Sequence, residues 1–393
     1  MFKVIMGQTE DPDSLDAIKD VIEQCRKQLS KDKPSAGILY GSTEYDSQVI
    51  VDEVNKAFPG IELIGGNTCA EISSLKGYAD GTLVLVLFVS DTIEIKAIVI
   101  KNIAKDQTAG IKPTLDNILP KFKEKPSLGI LIAETFTNPN ILVLNSGLLS
   151  FVKVLRSELG DGFTIFGGGT SSEVPNFNKI RQIYKTEVLQ DAAVMLLFAG
   201  PIKSKVGVAS GWVPFTSPHS LDEAKMNVVV KVEDKTGLNF YIDYIGGAPT
   251  LIHPLAVYED AKQDKFYLRG PFGADPASGC VFCDGEFPKG AKVRIAKSDP
   301  DKIIHATGEA AEQVNDLSSN QKYQCAFVLS CFCRRQILGT RTNEEWATLS
   351  KFIKDIPVFG FYSIGQIGPY SQGDVSIAHT ETCIIALLGE KNG

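Results

Sequence analysis

The spacing of apolar and polar positions switches along the chain between two rhythms, and the switches mark its elements. Short apolar runs rich in β-branched residues predict strands at Phe2–Met6, Ala36–Tyr40, Thr82–Phe88 and Ile93–Ile100. Between the first two, Asp11–Lys31 carries Leu15, Ile18, Val21, Ile22, Cys25 and Leu29 at helical spacing, with Ser14 and nearby aspartates suited to a helix N-terminus. A second helix is expected at Ser47–Ala57. The same order returns in the middle: strand Leu128–Ala133, loop Glu134–Asn140, helix Ile141–Leu159, then strands Lys179–Lys185, Ala192–Phe198 and Val206–Ser210. Beyond Pro214–Pro218 the pattern is β-rich, at Asn227–Val232, Leu255–Val257, Lys265–Leu268, Cys280–Cys283 and Lys292–Ile295. Helix Ala306–Asp316, strand Cys325–Ser330, a loop, helix Asn343–Ile353 and strand Cys383–Leu388 follow, with Thr342 and Glu345 spaced as a capping box.

One segment recurs. Ile61–Ile72 reads IELIGGNTCAEI, Phe163–Val174 reads FTIFGGGTSSEV, and Ile356–Ile367 reads IPVFGFYSIGQI. In each, strand-forming residues lead into glycine, then a hydroxyl (Thr68, Thr170, Ser363) and an acid or amide (Glu71, Glu173, Gln366). A strand entering a tight glycine turn would present backbone N–H groups, a hydroxyl and a polar side chain together. The expectation is an α/β chain of two lobes, residues 1–213 and 214–393. Three related strand-helix-strand-Gly turn-strand repeats are distributed between them, two in the first lobe and one in the second beside a β-rich insert.

Composition changes this picture little. At 393 residues, 44% hydrophobic and 22% charged, the chain has an ordinary globular balance and ample material for a core. A net charge of −7 with no basic run argues against nucleic acid or an anionic membrane surface as partner. The opening MFKVIMGQTEDPDS lacks a signal-peptide pattern, and the apolar runs Leu83–Val89 and Ala192–Ala199 are too short to cross a bilayer. Eight cysteines in apolar, strand-like surroundings suit reduced thiols, so a cytoplasmic location is expected.

Candidate chemistry is sparse. The glycine turns (Gly65, Gly66 with Thr68 and Glu71; Gly167, Gly168 with Thr170 and Glu173) suit a carboxylate or phosphate, or serve simply for close packing. Gly360–Gln366 has P-loop glycine spacing, but Gln366 stands where a lysine is required, and no GxGxxG occurs. Cys280-Val-Phe-Cys283 has half a zinc spacing, with Cys325, Cys331 and Cys333 as partners, yet on a strand residues three apart face opposite ways. Cys331 and Cys333 would share one face of a strand end beside arginines, as reactive thiols or as packing. No Gly-x-Ser-x-Gly, HExxH or EF-hand loop is present. The carboxylates Glu71, Glu173 and Glu134 would allow acid–base work only if the repeats face one another.

The tail VFGFYSIGQIGPYSQGDVSIAHTETCIIALLGE resembles the C-terminal signature of FIST proteins, and GGNTCAEISS resembles the N-terminal one. GVASGWVP, FYLRGPFGADPASGCVFCDGEFPKGAKV and SCFCRRQILG are similar to further family segments in the same order, so the likeness covers roughly residues 35–390. The resemblance implies a sensory module without established catalytic activity that binds a small molecule such as an amino acid. With no kinase or F-box segment in view, it implies signalling to a separate partner such as a histidine kinase or cyclic-dinucleotide enzyme. Arg269, Arg334 and Arg335 lie in family-like segments, and Arg269 and Arg334 join Tyr362 and Gln366 of the third glycine turn as ligand-binding candidates, arginine forks being suited to carboxylates and also to internal salt bridges. A subset of the family binds haem and reports nitric oxide. For that alternative His253, in the apolar LIHPLAVY, is the candidate axial ligand. A small-metabolite enzyme and a protein-interaction scaffold remain the other readings.

Overall fold

The computed structural model describes residues 1–134, 148–172, 177–258, 265–315 and 322–391. The expected helix at Ile141–Leu159 is described from Leu148 to Leu159, its first part and Glu173 lying outside the described residues. Among the described residues the chain is mixed α/β with eight α-helices and three sheets. Among the described residues no helix is long and apolar enough to cross a membrane.

The first sheet has six strands in the order Phe2–Thr9, Leu83–Ser90, Ala36–Gly41, Glu62–Asn67, Gln182–Tyr184 and Glu187–Leu189. Helices Ser14–Leu29 and Ser47–Ala57 cover one face. Asp13 caps the first of them by accepting the N–H groups of Leu15 and Asp16. Its buried stripe is Ala17, Ile18, Val21, Ile22, Cys25 and Leu29, while Leu15, expected on that stripe, is exposed in the first turn. The other face of the sheet packs Val4, Ile38, Tyr40, Val86 and Phe88 against an eleven-stranded sheet through Ile130, Phe198, Phe327, Phe359 and Ile384. The largest core is therefore a sheet-on-sheet interface, with helices outside it.

Three strand pairs in these two sheets run parallel: Ala36–Gly41 with Glu62–Asn67, Leu128–Ala133 with Thr164–Gly169, and Cys325–Cys331 with Val358–Pro369. Each first strand also pairs antiparallel with a later one, Leu83–Ser90, Ala192–Ala199 and Cys383–Glu390 respectively. Strand Cys383–Glu390 lies between Cys325–Cys331 and Ile202–Ala209. The third sheet is built from residues 213–297 around Val229, Phe240, Tyr241, Leu255, Val281 and Val293.

Several short elements escape the sequence pattern. Helices Ile111–Ile118 and Gly237–Ile245 fall where no element is expected, and helix Phe332–Leu338 replaces the expected loop, placing Cys333 in a helical turn instead of on a strand with Cys331. The capping box is also absent. Thr342 makes no side-chain cap, its hydroxyl donating to the Gly339 carbonyl, and Glu345 turns inward to Arg334.

Candidate functional site

The glycines of the recurring segment lie within strands, and close approach explains them better than a turn. A Cβ at Gly65, Gly167 or Gly360 would fall 1.8, 2.0 or 1.7 Å from the carbonyl oxygen of Leu39, Leu131 or Val328 on the parallel neighbour. Those three residues are also their register partners. Only glycine tolerates that contact.

The polar groups that follow the glycines meet. Strand Val358–Pro369 pairs antiparallel with Glu71–Ser73 over Phe359–Phe361 and with Thr164–Gly169 over Ile364–Ile367. Cys69 N–H donates to Ser171 Oγ at 3.0 Å, and Ser171 Oγ donates to the Tyr362 carbonyl at 3.1 Å. Tyr362 N–H donates to the Ala70 carbonyl, and Ser171 N–H to that of Asn67. Thr170 accepts from Gln182 Nε2 at 3.2 Å. A Cβ on Gly66 would strike the Thr170 methyl at 2.6 Å, and one on Gly168 would strike Ser363 Oγ at 2.7 Å. The junction is closed: Thr68, Glu71, Thr170, Tyr362 and Gln366 are all buried. A crevice beside it, lined by Tyr40, Ser42, Gly66, Asn67 and Arg181, offers only about 10 Å³, room for little more than one water.

Glu71 is fully engaged at this junction. Thr68 Oγ1 donates to its Oε1 at 2.5 Å, and Thr82 donates to Oε2 through both N–H (3.1 Å) and hydroxyl (2.8 Å). Gln366 makes the matching contacts with Ser363 Oγ at 3.1 Å and the Thr382 N–H at 3.4 Å. Glu134 accepts the Asp191 N–H at 2.6 Å, and burial raises its carboxyl above the ordinary value. The Gly360 N–H reaches across the sheet interface to Tyr40 Oη at 3.1 Å. Tyr40→Phe leaves that buried N–H without its acceptor, so chemical denaturation should show a loss of about 1–3 kcal/mol.

The arginines expected to grip a ligand grip the protein instead. Arg334, with no exposed surface, donates to Glu345 Oε1 from Nε (3.1 Å) and Nη2 (2.6 Å), and also to Thr307 Oγ1 and the carbonyls of Ile303 and Ser210. Tyr362 Oη donates to Glu345 Oε2 at 2.6 Å. Arg269 stacks 4.3 Å over the Tyr267 ring and donates to the Leu268 and Glu286 carbonyls. His253 sits in the turn after helix Gly237–Ile245, its Nδ1 3.1 Å from Thr250 Oγ1, and reaches neither the glycine junction nor the Arg334 network. Burial first, then Lys297, lowers its pKa. The cysteine knuckle does not form either: Cys280 and Cys283 occupy one strand, with Cys283 buried and Cys280 partly exposed.

A second cluster was not expected as a unit. Asp284 follows strand Cys280–Cys283 in the third sheet. Glu381 precedes strand Cys383–Glu390 in the eleven-stranded sheet, and Cys333 lies in the first turn of helix Phe332–Leu338. Ligand atoms of these three residues fall within 4.8 Å of one another. Cys331 adjoins them, its Sγ accepting the Cys333 N–H at 3.4 Å. Glu381 holds φ at +51°, a left-handed backbone that is rare for a side chain of this kind. Its side chain has no exposed surface, and Oε1 has no hydrogen-bond partner. Oε2 accepts from Thr380 Oγ1 at 2.6 Å, and Asp284 Oδ1 accepts from the Gly270 N–H at 2.8 Å. Gly270 keeps the space clear, since a Cβ there would lie 2.1 Å from Glu381 Oε1 and 2.9 Å from Asp284 Oδ2.

Burial pushes the Asp284 carboxyl up to about 7 against the pull of Arg269, and burial with the neighbouring Asp284 pushes Glu381 well above the carboxylate range. Burial also opposes ionisation of Cys331, but the Cys333 hydrogen bonds prevail and hold it below the usual thiol value. Buried acids with displaced pKa values, on strained backbone and beside thiols, are the pattern of a binding or reactive site. The sequence signal was present in Cys-Phe-Cys and Thr-Glu-Thr, separated by about fifty residues that fold between them.

A family model described as the FIST N domain matches residues 35–235, and one described as the FIST C domain matches residues 238–369. An uncharacterised protein of Methanocaldococcus jannaschii is 27% identical over 215 residues, covering 51% of this chain and 40% of the relative. Uncharacterised proteins of Mycobacterium bovis and Mycobacterium tuberculosis are each 28% identical over 111 residues, 27% of this chain and 28% of theirs. The chain thus spans less than half the length of these relatives. Among solved structures, a cyanuric acid hydrolase from A. caulinodans is similar over the whole of both chains at 8% identity and a TM-score of 0.42. PurL of T. maritima, complexed with ATP, scores 0.22 at 14% identity, covering all of this chain and 72% of that one. Likeness at these scores supports no statement about activity.

Proposed function

The chain belongs to the FIST family, and from that premise we propose that it is a sensory module that binds a small ligand between Asp284, Glu381 and Cys333. The observation that carries this reading is Glu381 Oε1, a buried acceptor without a partner on left-handed backbone. Leaving such an atom unsatisfied costs about 1–3 kcal/mol, a cost that a ligand removes. The oxygens favour a cation or a donor-rich group, of which the ammonium of an amino acid is one example.

The cluster draws Asp284 from the third sheet, Glu381 from the eleven-stranded sheet and Cys333 from a short helix. A ligand touching all three favours one relative arrangement of the sheets, and so alters the surface offered to a separate protein such as a histidine kinase or cyclic-dinucleotide enzyme. We also read the three parallel strand pairs as versions of one unit. The matched close approaches at Gly65, Gly167 and Gly360 support this, as do the matched contacts of Glu71 and Gln366. In that reading the glycine junction is the scaffold that holds the units together, and recognition belongs to the cluster.

Thermal unfolding of the chelator-treated full chain against amino acids and simple amines tests the proposal. A binder at a hundred times its Kd adds about 2.7 kcal/mol of stability, and Glu381→Gln should abolish the shift while Thr170→Ser retains it. A panel in which no member moves the melting temperature overturns the reading for amine ligands, as does a shift that survives Glu381→Gln.

A further inference from the structure

Resting on the cluster as the binding site, we propose that Cys333, Asp284 and Glu381 form a metal site for a zinc-class divalent cation. One thiolate sulfur with two carboxylate oxygens is a donor set that magnesium and calcium avoid and that zinc accepts readily. Around a tetrahedral ion with bonds of about 2.0–2.3 Å, ligand atoms sit roughly 3.5 Å apart, so closure from 4.8 Å needs side-chain shifts of about one ångström. Rotation about the Cys333 Cα–Cβ bond can supply such a shift.

The surroundings fit an ion in two further respects. Glu381 Oε1 has no hydrogen-bond partner, is shielded from water, and lies with Asp284 Oδ2 around the point where a Cβ on Gly270 would fall. The other oxygens are fixed from behind, Oε2 of Glu381 by the Thr380 hydroxyl and Oδ1 of Asp284 by the Gly270 N–H, which is how metal ligands are commonly oriented. Cys331, at the N-cap, adjoins the group by accepting the Cys333 N–H, but it is not one of the three ligands. Asp284 is half-buried, whereas Glu381 has no exposed surface. On binding, the Cys333 sulfur forms a bond to the cation and its proton leaves to solvent. The carboxyl groups likewise enter as carboxylates, and the Arg269 guanidinium beside Asp284 offsets part of their charge.

The test titrates the reduced, chelator-treated full chain with Co²⁺ and then Zn²⁺. The expected result is one equivalent of Co²⁺ per chain with a thiolate-to-cobalt charge-transfer band, displaced by Zn²⁺. Zinc content by elemental analysis should also be one per chain. Gly270→Ala removes no ligand atom but puts a methyl into the space of Glu381 Oε1, and should weaken binding about tenfold or more, as should Cys333→Ser. Cys280→Ser, outside the cluster, should leave it unchanged. Absence of the band in the unmodified protein overturns the proposal whatever the variants do, and so does a band that persists in Cys333→Ser. A protein that binds an amine but no cobalt keeps the sensory reading and loses the metal. One that binds cobalt but no amine keeps the metal and loses the amine.

Discussion

Glu345→Ala is expected to destabilise the protein by about 3–5 kcal/mol, read as a lowered denaturation midpoint with little change in slope. The reason lies in what the substitution leaves behind. The Arg334 guanidinium has no exposed surface, and two of its donors, with the hydroxyls of Tyr362, Thr307 and Ser330, converge on the Glu345 carboxylate. Removing the acid strands a charge and three hydroxyls away from water, where an unpaired cation is far more costly than a paired one. A double variant, Arg334→Met with Glu345→Leu, should recover a substantial part of the loss, because the charge is then gone as well. If the double variant is as unstable as the sum of the two single ones, the pair is not coupled and this account fails.

Gly360→Ala should be about as damaging, at or above the ~1–3 kcal/mol typical of overpacking. The new methyl carbon would fall 1.7 Å from the Val328 carbonyl oxygen, and both atoms belong to paired strands at the centre of the eleven-stranded sheet. Backbone on both sides cannot yield without breaking ladder hydrogen bonds and pulling the Gly360 N–H off Tyr40 Oη. Gly290→Ala is the control, since nothing lies within 4 Å of a Cβ there, although its φ of +77° carries its own modest penalty. Equal losses at the two sites would sink the close-approach explanation.

These two sites also mark how far the chain could be read from its letters. The recurring glycine segments were visible because close approach demands one residue type, and the segments do touch, through Cys69, Ser171 and Tyr362. Their role was less visible. The same letters serve a turn, a cradle or a tight ladder, and only the 1.7–2.0 Å contacts with carbonyl oxygens decide for the ladder. Helix Ser47–Ala57 was legible to the residue because its apolar spacing is regular and Asp46 caps it through Gln48 and Val49. Glu345 misled, since three residues after Thr342 it satisfies a local capping rule while its carboxylate belongs to Arg334, eleven residues earlier in sequence.

The acid–thiol cluster was hidden for a different reason. Gly270, Asp284, Cys331, Cys333 and Glu381 come from segments that meet only through the tertiary fold. A left-handed glutamate gives no warning in sequence, because that conformation is ordinarily the province of glycine and asparagine.

The position of strand Cys383–Glu390 has a consequence in time. It inserts between Cys325–Cys331 and Ile202–Ala209, partners that a ribosome releases well before it. Until it arrives, each offers an unpaired row of backbone donors and acceptors, with the apolar faces of Phe327 and Val206 beside it. Closure across some 180 residues is slow and late, which makes the nascent polypeptide a natural client for chaperones and a hazard for aggregation when synthesis outpaces assembly.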